Sequence, residues 1–403
     1  MNAILGAGPV GLAVAALLQK QGQDFSFWLR DTDRSKARAR QLRSSGFRFT
    51  SGSLCPPLDG LQVKGPCYNL SAPDRLPQVD TLYLCTPHTQ FSQALGCLPD
   101  GCYRRLVLLN SGLGCTEELK SQTKAECWTF SNFFGAAKIE GNRVVLRALK
   151  KNVFLSRRAS HWFGRELKTI GVGVTPVEFG LEAEVRNITL YSHAIFGLAP
   201  HTLEAVFSLT QTPRYLYKLF PEGPVERRRT LLYANFFNDV MRLCERLGVP
   251  GFNLLHFLHY DNYPVSHHFL SELEVQQFPN LSPTRQGDLL YARYTGLLVD
   301  PNSTPDSRGR YFDFSAVPVE RAELKDGVLR LPRVVEEELY HLTLLRALAG
   351  ELELHLGAVE HLWAEANKVL TRLKAPWSDH LCDHLQSQSL RAKRLAKLWR
   401  NAS

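Results

Sequence analysis

The chain has 403 residues, of which 44% are hydrophobic and 22% charged, and its formal net charge is +9. This composition excludes a disordered chain, and the scattered Lys and Arg residues carry no motif of a nucleic-acid-binding protein. The length suffices for two domains, and no apolar run approaches the length of a membrane span. The nine cysteines include no C-x-x-C pair, which favours reduced thiols and a soluble cytoplasmic protein.

The beginning of the chain predicts a dinucleotide-binding βαβ unit. Residues 2–5 are apolar, a glycine turn follows, residues 12–20 are rich in Ala and Leu, and residues 25–29 form a second apolar run. The turn has the spacing G-x-G-x-x-G and consists of Gly6, Ala7, Gly8, Pro9, Val10 and Gly11. This order of elements places a pyrophosphate at a helix N-terminus, where free N–H groups favour negative charge. A βαβ unit without a cofactor stays an alternative, whereas a signal peptide is disfavoured because no basic residue precedes the apolar run.

The end of the second predicted strand indicates which dinucleotide binds. NAD sites place Asp or Glu there to accept hydrogen bonds from the ribose, whereas this chain has Arg30 and, close behind, Lys36. Because guanidinium and ammonium groups bind phosphate, the pair predicts recognition of the 2′-phosphate of NADP. Asp31 and Asp33 keep NAD open as the alternative, and a basic helix face in solvent would also explain part of the cluster.

Small or polar residues follow two later apolar runs. Residues 79–85 and 106–109 are nearly continuous apolar runs, which is typical of buried parallel strands. Ligands bind at the C-terminal edge of a doubly wound sheet. We therefore expect the nicotinamide half of the cofactor to be lined by Thr86, Pro87 and Asn110, with ordinary turn residues as the alternative.

Further strands are predicted before the sequence changes character. Residues 128–130 and 172–177 each predict a strand. Residues 144–149 and 152–156 alternate in a way that predicts a β-hairpin between them.

The second half of the chain predicts helices. Three segments carry apolar residues at helical spacing, namely 231–247, 336–356 and 362–373. We therefore predict an α/β Rossmann domain that binds NADP over residues 1–178, followed by a mostly α-helical catalytic domain over residues 179–403. Residues 390–399 predict a basic amphipathic helix, which favours a packed terminal helix over a membrane-binding one.

The thirteen histidines raise the questions of metal binding and proton transfer. His380 and His384 have the i, i+4 spacing of a zinc site but lack the Glu of H-E-x-x-H, so we predict no metal site. His193 lies in an apolar and aromatic stretch, and an imidazole there suits proton transfer in a redox site. A structural role for any single histidine stays the alternative.

Several later stretches resemble a known family. The stretches are 219–224 (LFPEGP), 261–265 (DNYPV), 291–301 (YARYTGLLVDP) and 309–318 (GRYFDFSAVP). They resemble the bacterial opine dehydrogenases that make nicotianamine-like metallophores, the staphylopine, yersinopine and pseudopaline dehydrogenases. The resemblance implies an enzyme that condenses a histidine-derived aminobutyrate amine with an α-keto acid and reduces the imine with NADPH. It also implies that Arg30 and Lys36 bind the NADPH phosphate, that His193 is the active-site histidine, and that the protein is a homodimer.

One departure from the family pattern bears on the keto acid. The staphylopine enzymes carry Asp at the position that matches Ala136, and by resemblance Ala goes with α-ketoglutarate and Asp with pyruvate. We therefore expect α-ketoglutarate to be favoured over pyruvate. Lys138 is a candidate partner for the distal carboxylate, with a solvated lysine as the alternative, and we expect Asp261 to bind substrate.

Two other classes of function stay open at this point. One is another NADP-dependent oxidoreductase of the ketopantoate-reductase type, which acts on keto or hydroxy acids. The other is a protein that binds NADPH without catalysis.

Overall fold

The computed structural model describes residues 1–52, 55–207, 213–262, 269–297, 315–325, 328–372 and 378–402. They divide into two compact units, of which the first comprises Met1–Asn187 with Asp261 and Asn262, and the second the other described residues from Ile188 onward. The domain assignment of residues 1–178 and 179–403 stays a prediction. Of the family-like stretches, residues 263–265, 298–301 and 309–314 lie outside the described residues.

The first unit alternates strands and helices. Its strands are β1 (Asn2–Leu5), β2 (Phe25–Leu29), β3 (Phe47–Thr50), β4 (Gln62–Val63), β5 (Cys67–Asn69), β6 (Val79–Leu84), β7 (Tyr103–Leu108), β8 (Glu126–Thr129), β9 (Gly135–Glu140), β10 (Arg143–Leu149), β11 (Asn152–Ser156) and β12 (Gly173–Val177). Its helices are α1 (Pro9–Lys20), α2 (Asp33–Arg43), α3 (Phe91–Leu95), α4 (Cys115–Gln122), α5 (Arg157–Thr169) and α6 (Gly180–Val185), with short 3₁₀ turns at Pro73–Arg75 and His88–Gln90.

A six-stranded parallel sheet organises this unit. Its strand order is β5-β2-β1-β6-β7-β8. β2 and β5 lie on one side of β1, and β6, β7 and β8 lie on the other. β1 and β6 are buried at nearly every position, because both faces of the sheet are covered. The order is that of a doubly wound dinucleotide-binding fold, so the predicted Rossmann fold is confirmed.

A second sheet corrects one prediction. We expected residues 144–149 and 152–156 to pair as a hairpin, and this was wrong. β10 pairs with β9 antiparallel and with β3 parallel, whereas β11 pairs with β12 parallel. The intervening Lys150 and Lys151 lack the Gly or Asn that a two-residue hairpin turn requires, and their backbone groups bond to Phe134 and Gly173 instead.

The second unit is mostly helical. Its helices are α7 (Ala194–Gly197), α8 (Pro200–Phe207), α9 (Arg227–Arg246), α10 (Leu254–His256), α11 (Glu272–Gln277), α12 (Pro283–Gly296), α13 (Arg333–Glu351), α14 (Gly357–Arg372) and α15 (Ser378–Ala402). A π-helical turn spans Thr189–His193, another spans Phe257–Asn262, and a 3₁₀ turn spans Phe278–Asn280.

The predicted helices of this unit are confirmed, with one addition. α9, α13 and α14 correspond to the three segments that carry helical periodicity, although α13 ends at Glu351, before the predicted end at residue 356. Short strands reappear, however, because β13 (Glu323–Lys325) and β14 (Val328–Arg330) form an antiparallel pair.

The terminal helix packs as expected. α15 contacts α13, and the side chains of Ala392, Leu395 and Ala396 are fully or almost fully buried. Among the described residues, no helix combines the length and the apolar character needed to cross a bilayer.

Candidate functional site

The glycine turn after β1 forms a backbone cradle. Gly6 has φ of +103°, a conformation that side chains with a Cβ rarely adopt. A Cβ on Gly11 would lie 2.0 Å from the carbonyl oxygen of Gly6, so the tight turn requires glycine at both positions. α1 begins at Pro9, and no described side chain caps its N-terminus. The first N–H groups of α1 and the open space beside Gly8 fit a phosphate group.

Two exposed basic residues lie beyond the end of β2. Arg30 directly follows β2, and Lys36 lies in the first half of α2. Nζ of Lys36 is 2.8 Å from a carboxylate oxygen of Asp31, and this pairing lowers the pKa of the Asp31 carboxyl group. Other cations of the cluster have structural contacts, since the guanidinium of Arg38 lies 5.0 Å from the ring centre of Phe47. Arg30 therefore has the clearer geometry for an anionic ligand.

Thr86, Pro87 and Asn110 follow β6 and β7 at the edge where we expected them. A Cβ on Gly6 would lie 3.2 Å from the methyl carbon of Thr86, so Thr86 adjoins the glycine turn. The buried hydroxyl of Thr86 has no hydrogen-bond partner within the described residues, as expected for a group that awaits a ligand. Asn110 accepts a hydrogen bond of 3.1 Å from the backbone N–H of Phe133 and so connects the loops after β7 and β8.

The predicted substrate residues of the first unit differ in exposure. Ala136 is half-buried in β9 and pairs with Ala148 of β10. The Lys138 side chain is 61% exposed and lies 4.0 Å from Glu140. Asp261 is 8% exposed and accepts a hydrogen bond of 3.0 Å from the amide of Asn152. Asp261 is thus buried and Ala136 half-buried, whereas Lys138 faces solvent.

His193 ends a π-helical turn in the second unit and has an acidic neighbour. Its Nδ1 lies 3.9 Å from a carboxylate oxygen of Glu338, and its ring stacks on Tyr217 with 6.1 Å between the ring centres. The His193 side chain is 19% exposed, so it combines partial access with a fixed orientation. π-Helical turns often occur at functional sites.

Glu338 is the buried centre of this arrangement. It is 0% exposed, and its second oxygen lies 3.3 Å from Nδ1 of His341 one turn along α13. Burial raises the pKa of the Glu338 carboxyl group, and the attraction of His341 opposes that rise. A carboxyl group with a raised pKa beside an imidazole can exchange a proton with it.

Tyrosines hold the turn that carries His193. The hydroxyl of Ser192 is 2.9 Å from the hydroxyl of Tyr233 and 2.9 Å from that of Tyr294. Burial raises the pKa of both tyrosines, so both stay neutral and serve as hydrogen-bonding groups. Arg293, 2% exposed, donates a hydrogen bond of 3.0 Å to the Leu258 carbonyl. The side chain of Ser192, next to His193, is therefore held from two helices, α9 and α12.

Sequence reasoning missed Glu338, His341 and the tyrosines. The available signal was periodicity, because Glu338 shares a helix face with the buried residues Val335, Leu342 and Leu345. A carboxylate on the apolar face of a predicted helix is rarely buried unless it is paired. In the described residues, no group of three or more His, Cys, Asp or Glu could hold a metal ion, and the side chains of His380 and His384 lie outside the description.

The fold and these residues define a dinucleotide-dependent oxidoreductase. The chain belongs to the staphylopine dehydrogenase family, whose family model matches residues 2–396. The predicted family is therefore confirmed.

Individual relatives agree with this family. The chain is 34% identical to the pseudopaline synthase of Pseudomonas aeruginosa (strain UCBPP-PA14) over 309 residues, which cover 72% of this chain and 71% of the relative. It is 38% identical to the yersinopine synthase of Yersinia pestis over 232 residues, 56% of this chain and 51% of the relative. A solved structure of yersinopine dehydrogenase with NADP⁺ bound superposes with a TM-score of 0.86 at 26% identity, covering 99% of this chain and 98% of that one.

Proposed function

We propose that this protein is an NADPH-dependent opine synthase. It joins the primary amine of a histidine-derived aminobutyrate compound to an α-keto acid, with α-ketoglutarate preferred to pyruvate. The observation that carries the proposal is the match to the staphylopine dehydrogenase family over residues 2–396. The substrates follow from the resemblance of the quoted motifs and from Ala136.

The first unit has the residues to bind NADPH. The backbone of residues 6–11 and the N-terminus of α1 suit the pyrophosphate, and the exposed Arg30 and Lys36 suit the 2′-phosphate. Thr86, Pro87 and Asn110 suit the nicotinamide half. When bound, NADPH supplies the hydride that reduces the carbon–nitrogen double bond.

The proposed reaction is a condensation that releases one water molecule, followed by a reduction. The amine nitrogen forms a bond to the keto carbon, and the keto oxygen leaves as water to give an imine. Hydride addition to the imine carbon and protonation of the nitrogen complete the reaction. One amine, one keto acid, NADPH and a proton thus give the opine, water and NADP⁺. The protein accelerates these steps mainly by holding the reacting groups in place.

His193 is the proposed acid and base in this sequence. Its imidazole exchanges the protons that water loss and imine capture require, and Glu338 at 3.9 Å orients the ring and stabilises its charged form. In the first unit, the proposed substrate residues are Ala136, Lys138 and Asp261. The Asp261 carboxylate suits a cationic group of the amine, and Asn152 fixes its orientation.

Mass spectrometry of the product tests the function. The protein is incubated with NADPH, the histidine–aminobutyrate amine, and equal amounts of pyruvate and α-ketoglutarate. We expect a product with the mass of amine plus α-ketoglutarate, less one oxygen. Omission of the amine is the control, since NADPH oxidation by a keto acid alone would instead indicate a keto-acid reductase. NADPH binding without any product from either keto acid would contradict the proposal.

Light scattering of the purified protein tests the homodimer.

A further inference from the structure

Lys150 directly follows β10, the strand that pairs with the strand of Ala136. β9 and β10 are antiparallel, with Ala136 opposite Ala148, and the backbone N–H of Lys150 donates to the Phe134 carbonyl at 2.9 Å. This bond continues the same register by two residues. Paired residues share a face of a sheet and side chains alternate along a strand, so Ala136, Ala148 and Lys150 share one face.

The segment of Asp261 adjoins the same point. The next residue, Lys151, donates its backbone N–H to the Asn262 carbonyl at 3.3 Å. The residue after Lys150 is thus bonded to the residue after Asp261, and the proposed function assigns both Ala136 and Asp261 to substrate.

The burial of Lys150 is unusual for a lysine. Lys150 is only 5% exposed, and its ammonium forms no hydrogen bond or ion pair within the described part of the chain. Burial alone lowers its pKa to about 7. An ammonium group buried without a partner destabilises a fold, so this position suits a lysine that pairs with an anionic ligand during function.

Lys138 meets these conditions less well. Alternation along β9 places it on the face of Ala136, but its side chain is 61% exposed and lies 4.0 Å from Glu140. Solvent weakens an ion pair at such a position, whereas an enclosed ammonium binds a carboxylate more strongly.

We propose that Lys150 binds the distal carboxylate of a dicarboxylic α-keto acid and so determines the preference for α-ketoglutarate over pyruvate. This inference rests on the proposed function and replaces Lys138 in the role of the cation. The small Ala136 leaves room for the longer substrate beside the ammonium. A carboxylate introduced by Ala136→Asp would pair with Lys150 itself and leave room only for a monocarboxylic keto acid.

Equilibrium binding tests the proposal without turnover. The NADP⁺-loaded protein is titrated with α-ketoglutarate and with pyruvate by calorimetry. Lys150→Met should weaken α-ketoglutarate binding by about 10–100-fold, the usual effect of losing a charge-assisted hydrogen bond, and change pyruvate binding by less than about 3-fold. Lys168→Met, at an exposed lysine in the last turn of α5, is the control and should leave both affinities unchanged. Lys150→Arg, which keeps the charge, should retain part of the preference.

Other outcomes would overturn the role of Lys150. An equal loss of affinity for both keto acids would show a structural role for Lys150. Weaker NADP⁺ binding would show a contact with the cofactor. Unchanged affinity for both keto acids would show that Lys150 has no role in binding them. If Lys150→Met does not fold, Lys150→Gln serves in its place, and the Ala136→Asp protein gives a second measure, because its α-ketoglutarate affinity should already match that of the Lys150 variant. A wild-type protein that binds both keto acids equally also overturns the proposal. These outcomes differ from failure of the proposed function, in which the protein would form no opine product at all.

Discussion

One carboxylate oxygen of Glu338 lies 3.9 Å from Nδ1 of His193. Glu338 is completely buried, and its other oxygen faces His341 at 3.3 Å. Burial raises the pKa of the Glu338 carboxyl group, and the attraction of His341 opposes that rise. The imidazole of His193 therefore has as its acidic neighbour a residue that does not itself reach solvent.

This relationship predicts different effects for two substitutions. His193→Ala should lower kcat by about 10²–10⁴-fold, as expected for loss of a general acid. Glu338→Gln should lower kcat by about 10-fold and change the shape of the pH profile, because an ionisable carboxyl group beside the imidazole is removed. Steady-state kinetics between pH 6 and pH 9 measures both, and KM for NADPH should stay unchanged.

Glu336→Gln is the control for Glu338. Glu336 is half-buried on the same helix and accepts a hydrogen bond of 2.8 Å from the hydroxyl of Tyr340. The Glu336→Gln protein should keep the pH profile of the wild type. Wild-type kcat and pH profile in the Glu338→Gln protein would remove Glu338 from the mechanism.

Arg30 should determine the choice between NADPH and NADH. Its guanidinium is exposed directly after β2, where it can bind the 2′-phosphate. Arg30→Ala should raise KM for NADPH by about 10–100-fold and change KM for NADH by less than about 2-fold, because only NADPH carries that phosphate. Arg40→Ala, an exposed arginine in the last turn of α2, is the control. Equal effects on both cofactors would mean that Arg30 does not recognise the phosphate.

Ala136 should influence the choice of keto acid. Ala136→Asp places a carboxylate beside the site of a second substrate carboxylate, and like charges in an enclosed site repel. The ratio of kcat/KM for α-ketoglutarate to that for pyruvate should fall by about 10-fold or more. Ala136→Asn, which has a similar size and no charge, separates the electrostatic effect from the steric one. If both variants behave alike, space rather than charge decides the preference.

Glu184 should contribute to the stability of the first unit. It is 1% exposed and accepts hydrogen bonds from the N–H of Gly114 at 2.8 Å, from the N–H of Thr116 at 2.7 Å, and from the Thr116 hydroxyl at 2.6 Å. The carboxylate thus stabilises the N-terminus of α4. Glu184→Ala should destabilise the unit by about 2–5 kcal/mol, since buried donors lose their acceptor.

Thermal unfolding of the apo protein measures this loss. Glu178→Ala is the control, because Glu178 forms an exposed ion pair with Arg157 and should change stability by less than about 1 kcal/mol. Equal melting temperatures for the Glu184→Ala protein and the wild type would contradict a stabilising role for the buried carboxylate.

The sequence predicted local features better than tertiary ones. The turn at Gly6 and Gly11 was predictable because its chemistry is contained in six consecutive residues. The prediction of a hairpin was wrong because β11 pairs with β12 instead. That parallel partner lies about twenty residues further along the chain. Lys150 was missed because nothing in the neighbouring sequence marks it as buried, whereas Glu338 lies on an apolar helix face but periodicity alone does not show what covers it. Their roles depend on which surfaces cover them in the folded chain.

Lys150 should make the stability of the apo protein depend on pH. Burial lowers its pKa from 10.5 to about 7, so between these values the unfolded chain binds a proton that the folded chain does not. The contribution of Lys150 to the free energy of unfolding therefore rises with pH between the two pKa values. The cost of burying the ammonium group is greatest below about pH 7. Lys150→Met should stabilise the apo protein by a few kcal/mol at pH 6.5, a gain that shrinks toward pH 10. Denaturation at a series of pH values measures this, with Lys138→Met as the exposed control. A gain that does not change with pH would show that Lys150 stays charged in the folded protein.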